Sequence, residues 1–132
     1  EIGGEHEDFY DPDFCIYNDV VVFQSDGTFD IYGYPKEIFP PTDFHSATLV
    51  GDYIYIIGSL GYFEERLFGE TPVYRLRCET WQIEKVETTC DKPGGGKVWK
   101  KIDDKEHHYL DQTEDYILDL KTLMWKHVQV DR

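Results

Sequence analysis

The alternation of apolar and polar positions is clearest between His45 and Thr89. Ala47 to Val50 predicts a short strand, Gly51-Asp52 a two-residue turn, and Tyr53 to Ile57 a second strand that doubles back and stops at Gly58. After a polar loop, Val73-Tyr74-Arg75-Leu76-Arg77 alternates apolar and charged side chains at period two. That pattern predicts a strand with one face turned to a core and one to solvent. Trp81 to Glu87 repeats it after a bend at Cys78-Glu79-Thr80. The stretch therefore predicts a four-stranded antiparallel sheet. With no helix to cover either face, such a sheet needs neighbours of its own kind.

Weaker copies flank it. Val20 to Gln24, the Asp26-Gly27 turn and Thr28 to Tyr32 predict a hairpin on one side. Asp115 to Leu120, the Lys121-Thr122 bend and Trp125 to Val130 predict another on the other side. Aligning Phe29, Trp81 and Trp125 makes Val22, Tyr74 and Leu118 equivalent, and glycine marks recur at Gly3-Gly4, Gly58-Ser59 and Gly95-Gly96. Ile2-Gly3-Gly4 predicts the end of a strand that begins before Glu1. Pro35, Pro40 and Pro41 mark a crossing between copies, because proline cannot donate to an interior ladder. Between Trp81 and Gly95 the chain is too short by one strand pair, so the third copy is expected to lack its inner strands. The expected organisation is one region, with a partial unit at 1–34, a complete unit at 35–89 and a partial unit at 90–132.

The ordered set His45, Ala47, Tyr55, Gly58, Tyr74 and Trp81 resembles the kelch repeat of β-propellers. Ser59 departs from the expected second glycine, and the first copy has Phe29 in place of the tryptophan. The resemblance implies an all-β fold of four-stranded antiparallel kelch-like blades, two to three in number, one complete and two partial. Propellers close at about four to eight blades. The chain is thus expected to be an incomplete propeller, or one completed by other segments or by other copies of itself. An irregular sandwich of the same strands and a truncated array that folds poorly are the alternatives. In function, the resemblance implies a binding scaffold for protein–protein interaction. A carbohydrate-binding or carbohydrate-active propeller enzyme and a purely structural repeat segment stand beside it.

Composition narrows the partners. The 132 residues carry a net charge of −14, a field that repels phosphate backbones and anionic membrane surfaces. Nucleic acid and membrane are not expected partners; a basic peptide or a neutral sugar is. No apolar run approaches the roughly 18 residues of a membrane span. Three cysteines, Cys15, Cys78 and Cys90, without paired spacing fit a reducing compartment, so a cytoplasmic location is expected.

Strand alternation gathers the long loops, Glu5 to Phe14, Pro35 to Asp43, Tyr62 to Thr71 and Trp99 to Glu114, at one end of the blades, and the tight turns at the other. Binding is expected at the long-loop end. Its candidate ligand residues are Phe9, Tyr10, Asp11, Asp13, Tyr62, Phe63, Glu64, Glu65, Trp99 and Tyr109, where aromatic anchors sit beside carboxylates. No catalytic residue, cofactor or metal is expected. The acidic run at Glu5 to Asp8 lacks the spacing and turn glycine of a calcium loop, and His107-His108 on an extended chain would point apart. Ser46 beside His45 is no triad for the same reason, and no Gly-x-Ser-x-Gly or His-Glu-x-x-His pattern is present.

Overall fold

A computed structural model describes residues 1–6, 14–58, 61–62, 71–90, 99–101, 107–109 and 115–128, with 99–101, 107–109, 115–116 and 127–128 described as backbone. Every regular element among them is a β-strand, so the described chain is all-β. None of the described residues form a helix long and apolar enough to cross a membrane. In chain order the strands are β1 (Glu5–His6), β2 (Cys15–Ile16), β3 (Val20–Phe23), β4 (Phe29–Tyr32), β5 (Ser46–Val50), β6 (Tyr53–Ile57) and β7 (Val73–Arg77). They continue as β8 (Ile83–Lys85), β9 (Thr89–Cys90), β10 (Trp99–Lys101), β11 (His107–Tyr109), β12 (Asp115–Asp119) and β13 (Met124–Val128). The chain divides into two compact units, Glu1–Arg66 with Tyr74–Lys85, and Leu67–Val73 with Val86–Arg132.

The first unit is built on the central stretch, and its four strands lie side by side in the order β5-β6-β7-β8. Gly51, at φ 61°, makes the turn between β5 and β6, whose antiparallel register pairs Leu49 with Ile54 and Ala47 with Ile56. Leu76 pairs with Ile83 across β7 and β8. One face of this sheet is therefore apolar: Ile56 and Leu76 are fully buried, and Ile83 and Tyr74 nearly so. β5 forms an edge and is exposed along its length.

Against that apolar face packs the β3–β4 hairpin. Val20 pairs with Tyr32 and Val22 with Asp30, and Val20, Val22 and Tyr32 join the core of Phe39, Ile56, Tyr74, Leu76 and Ile83. Residues 1–3 run antiparallel beside β3: Ile2 bridges Val20, Val21 N–H donates to the Glu1 carbonyl at 2.8 Å, and Gly3 N–H to the Asp19 carbonyl at 2.9 Å. Gly3 has no substitute there. Its φ is +56°, and a Cβ would lie 2.3 Å from the Thr42 carbonyl oxygen, inside any tolerable contact.

The crossing from β4 to β5 corrects one expectation. Residues 35–43 were expected to form an open loop on a ligand-facing rim, yet Phe39 and Thr42 within them are fully buried. The three prolines keep the segment out of the ladders, but Phe39 still fills the core, edge-on to Tyr74 at 5.3 Å and to Tyr34 at 6.1 Å. Burying a side chain of this size contributes about 1.5–3 kcal/mol. Asn18 holds the segment down by donating from Nδ2 to the carbonyls of Tyr34 and Phe39, both at 2.9 Å. Thr42 closes it: its N–H donates to the Tyr17 carbonyl, and its own carbonyl accepts from Gly4 N–H.

In the second unit β12 and β13 form the expected hairpin, with Leu118 opposite Trp125. Its third strand was not expected. Thr89 and Cys90, on either side of the expected boundary between the complete and the third unit, form β9 and pair in parallel with Met124 and Trp125, so the sheet order is β12-β13-β9. The Trp125 indole donates to Thr88 Oγ1 at 3.2 Å and ties this short strand to β13. A second correction concerns 99–114, expected as one long loop: β10 and β11 pair there as a hairpin, Trp99 opposite Tyr109.

The alignment of the copies also shifts. The turn after β7 ends on Trp81, at φ 59°, with Trp81 N–H donating to the Arg77 carbonyl at 2.8 Å. The turn after β12 ends on Leu123, at φ 56°, with Leu123 N–H donating to the Asp119 carbonyl at 2.7 Å. By this geometry Trp81 matches Leu123, and Ile83, opposite Leu76, matches Trp125, opposite Leu118. The hairpins recur, but the aromatic anchors stand two positions apart.

Candidate functional site

The charged half of the Val73–Arg77 alternation builds the most distinctive cluster in the first unit. Because successive side chains on a strand face opposite ways, Tyr74 and Leu76 enter the core while Arg75 and Arg77 share the other face. Tyr53, from the start of β6, reaches the same face. The guanidinium carbon of Arg75 lies 4.5 Å from the Tyr53 ring centroid, and that of Arg77 lies 5.3 Å from it. Arg77 Nη2 also donates to the Tyr53 hydroxyl at 2.9 Å. Two cations thus share one aromatic ring, each contact contributing about 0.5–1 kcal/mol at an exposed site.

Glu84 on β8 stands opposite Arg75 in the ladder, and its carboxylate accepts from Arg75 Nε. The hydrogen bond to Glu84 is the main reason the Arg75 pKa rises above its ordinary value. Arg77 is exposed, and among the described residues no carboxylate pairs with it, so beyond the bond to Tyr53 its guanidinium keeps further N–H donors.

The cluster borders a groove of about 530 Å³ whose lining also includes Tyr34, Ile38, Trp81, Gln82 and Ile83. Trp81 is fixed from two sides. Its ring stacks on Tyr32 at 5.7 Å, and its carbonyl accepts from the Tyr34 hydroxyl at 2.5 Å. Burial is the larger cause, and Tyr32 the smaller, of the raised pKa of Tyr34, which therefore stays a protonated donor. The groove lies at the tight-turn end of the sheet, where Cys78 N–H donates to the Asp52 carbonyl at 2.9 Å and joins the two turns. Chemically it offers fixed cations and flat apolar surface. Guanidinium groups do not give up protons near neutrality, so the groove suits binding of an anion rather than proton transfer.

A second polar feature lies at the entry to β5. Asp43 Oδ2 and His45 Nδ1 are buried with no hydrogen-bond partner among the described residues, and between them exposed Phe44 adopts φ 52°. Burial lowers the His45 pKa, partly opposed by the Asp43 carboxylate and a hydrogen bond with the Ile2 backbone. Among the described residues, no three His, Cys, Asp or Glu side chains gather in a way that could hold a metal ion.

Of the residues expected to bind ligand, Phe9, Tyr10, Asp11, Asp13, Phe63, Glu64 and Glu65 lie outside the described residues. Tyr62 is described and serves the fold: its hydroxyl accepts from Ile16 N–H at 3.0 Å, and its ring meets Phe14 edge-on at 6.4 Å. Trp99 and Tyr109 are brought opposite each other on β10 and β11 in the second unit, as backbone positions. Sequence reasoning passed over Arg75, Arg77 and Tyr53. The signal was two like charges at alternate positions of one strand, a spacing that puts both on one face and destabilises it unless something there accepts them. No protein-family model matches this chain, and no curated protein matches it.

Proposed function

We propose that the chain is a kelch-like β-propeller segment that acts as a peptide-binding scaffold in protein–protein interaction. One observation carries the reading: the β3–β4 hairpin lies face to face on a four-stranded sheet of up-and-down order, as successive blades of such a propeller would. The far face of that hairpin supports it too. Val21 opposite Ile31 and Phe23 opposite Phe29 form an apolar surface, on which Phe23, Phe29 and Ile31 are each more than half exposed. A surface of this kind is rare on a self-sufficient domain and suits completion by a further blade, from another segment or another copy.

The contact surface for the peptide is the groove lined by the Arg75–Arg77–Tyr53 cluster and Trp81, since it joins fixed charge to apolar lining in one concavity. Aromatic and arginine side chains of this sort dominate the energetics of peptide and protein contacts. The test is a binding survey of the folded chain against arrays of acidic, basic and neutral peptides, with neutral oligosaccharides as the competing class. Binding of a peptide class with no oligosaccharide binding supports the scaffold; binding of oligosaccharides alone overturns it in favour of a carbohydrate-directed role.

A further inference from the structure

We infer that the groove beside Trp81 selects a peptide segment that presents a single carboxylate next to an apolar side chain, with Arg77 as the group that takes the carboxylate. The inference rests on the peptide-scaffold reading and names its ligand. It runs against the expectation from net charge: a chain at −14 should attract basic partners, and the groove is a local exception.

Charge count at the site sets the ligand's valence. Arg75 and Arg77 bring two positive charges and Glu84 removes one, which leaves a single net positive charge beside the Tyr53 ring. A carboxylate matches that charge. A phosphate dianion would leave one negative charge unmatched within an already negative protein.

Geometry assigns the roles. Arg75 is committed, because Glu84 occupies its Nε and fixes its fork against the ring. Among the described residues Arg77 is held by Tyr53, through its hydroxyl and its ring, so its orientation is set while most of its donors stay available. A guanidinium positioned in this way offers a carboxylate two parallel hydrogen bonds. The pair of Arg75 with Glu84 on the same face already shows that this surface holds a carboxylate. Elsewhere in the lining Trp81 and Tyr34 are held in place, the one stacked on Tyr32 and the other bonded to the Trp81 carbonyl, and Ile38 is 46% exposed. An apolar side chain adjacent to the bound carboxylate would cover Ile38 without reordering the lining, and low reordering cost favours affinity.

The experiment titrates the full chain with the peptide acetyl-Ala-Phe-Asp-Ala-amide and follows backbone amide shifts, with the Asn and phosphoserine versions of the peptide as comparisons. Saturable shifts are expected at Arg77, Gln82 and Glu84, with the Asp peptide binding about five- to tenfold more tightly than the Asn peptide and no more weakly than the phosphoserine one. Arg77→Gln should remove the preference for Asp over Asn. Tyr53→Phe, which keeps the ring and frees Arg77, should reduce it, and serves as the decisive variant if Arg77→Gln disturbs the amide spectrum globally. Equal affinity for the Asp and Asn peptides, an unchanged preference in the variants, or clearly tighter phosphoserine binding would overturn the inference while leaving a peptide scaffold in place. Binding of no peptide, together with oligosaccharide binding in the survey above, would remove both.

Discussion

The hairpins β3–β4 and β7–β8 share an architecture and differ in what they show to the outside. Each turns one face into the same core, Val20, Val22 and Tyr32 from the first, Tyr74, Leu76 and Ile83 from the second. The outer face of the first is Val21, Phe23, Phe29 and Ile31; that of the second is Arg75, Arg77 and Glu84, with Tyr53 alongside. A period-two strand has only these two faces, so once the core face is set, the remaining positions are free to specify a use. Those positions are exposed and apolar on the first hairpin, and on the second they set two arginines against one aromatic ring.

The two faces of these hairpins should differ most in what a truncation costs. Leu76→Ala, at a fully buried position, should cost about 2–5 kcal/mol. Ile31→Ala, 61% exposed on the outer face of the first hairpin, should cost no more than about 0.5 kcal/mol in the isolated chain. Urea unfolding followed by tryptophan fluorescence measures both. Similar losses would mean that the outer face is already covered and that the two hairpins do not differ as described.

Next in size is the joint that seats the first hairpin. Gly3→Ala forces a Cβ against the Thr42 carbonyl at positive φ and should cost about 2 kcal/mol or more in the same assay. Gly27, also at positive φ but with open space around its Cβ position, should tolerate alanine with a smaller loss. A reversal of that order would show that residues 1–3 do not lie along β3.

The smallest effect concerns pH. Burial lowers the folded-state pKa of His45 below its ordinary 6.5, so on acidification the unfolded chain takes up the proton first. Stability from this residue is therefore present above 6.5, falls as pH drops through that value, and levels off below the folded-state pKa. Asp43, the nearby carboxylate, limits the fall by favouring the protonated form. Thermal melts across this range should show His45→Gln with a flatter pH dependence than the parent chain. An identical slope would place the pH response elsewhere.

Much of this fold was legible before any coordinates. β6 and β7 fall on their expected residues, and β3, β4, β5, β12 and β13 lie within about two residues of theirs, because alternation and glycine or aspartate turns act locally. What escaped notice depends on contacts distant in the chain. β9 is two residues long and pairs in parallel, and nothing in Thr89-Cys90 itself announces a partner at Met124 and Trp125. Trp81 was expected to open an alternating strand and to anchor the repeat, whereas here it closes a turn at positive φ and is held by Tyr32 and Tyr34. Phe39 sits among prolines, a context that suggests exposure, and the Asn18 and Thr42 hydrogen bonds that draw the segment into the core join it to residues distant in the chain. As for the site, attention to acidic loops and total charge hid two arginines that share a face.

The first hairpin lies on the four-stranded sheet through Tyr32, Trp81, Phe39 and Tyr74. A nuclear Overhauser experiment on the aromatic protons of the folded chain tests it most directly. The rings of Tyr32 and Trp81, with centroids 5.7 Å apart, and of Phe39 and Tyr74, 5.3 Å apart, should each give strong mutual cross-peaks. Well-resolved spectra in which both pairs show none would contradict the stacking of one sheet on the other.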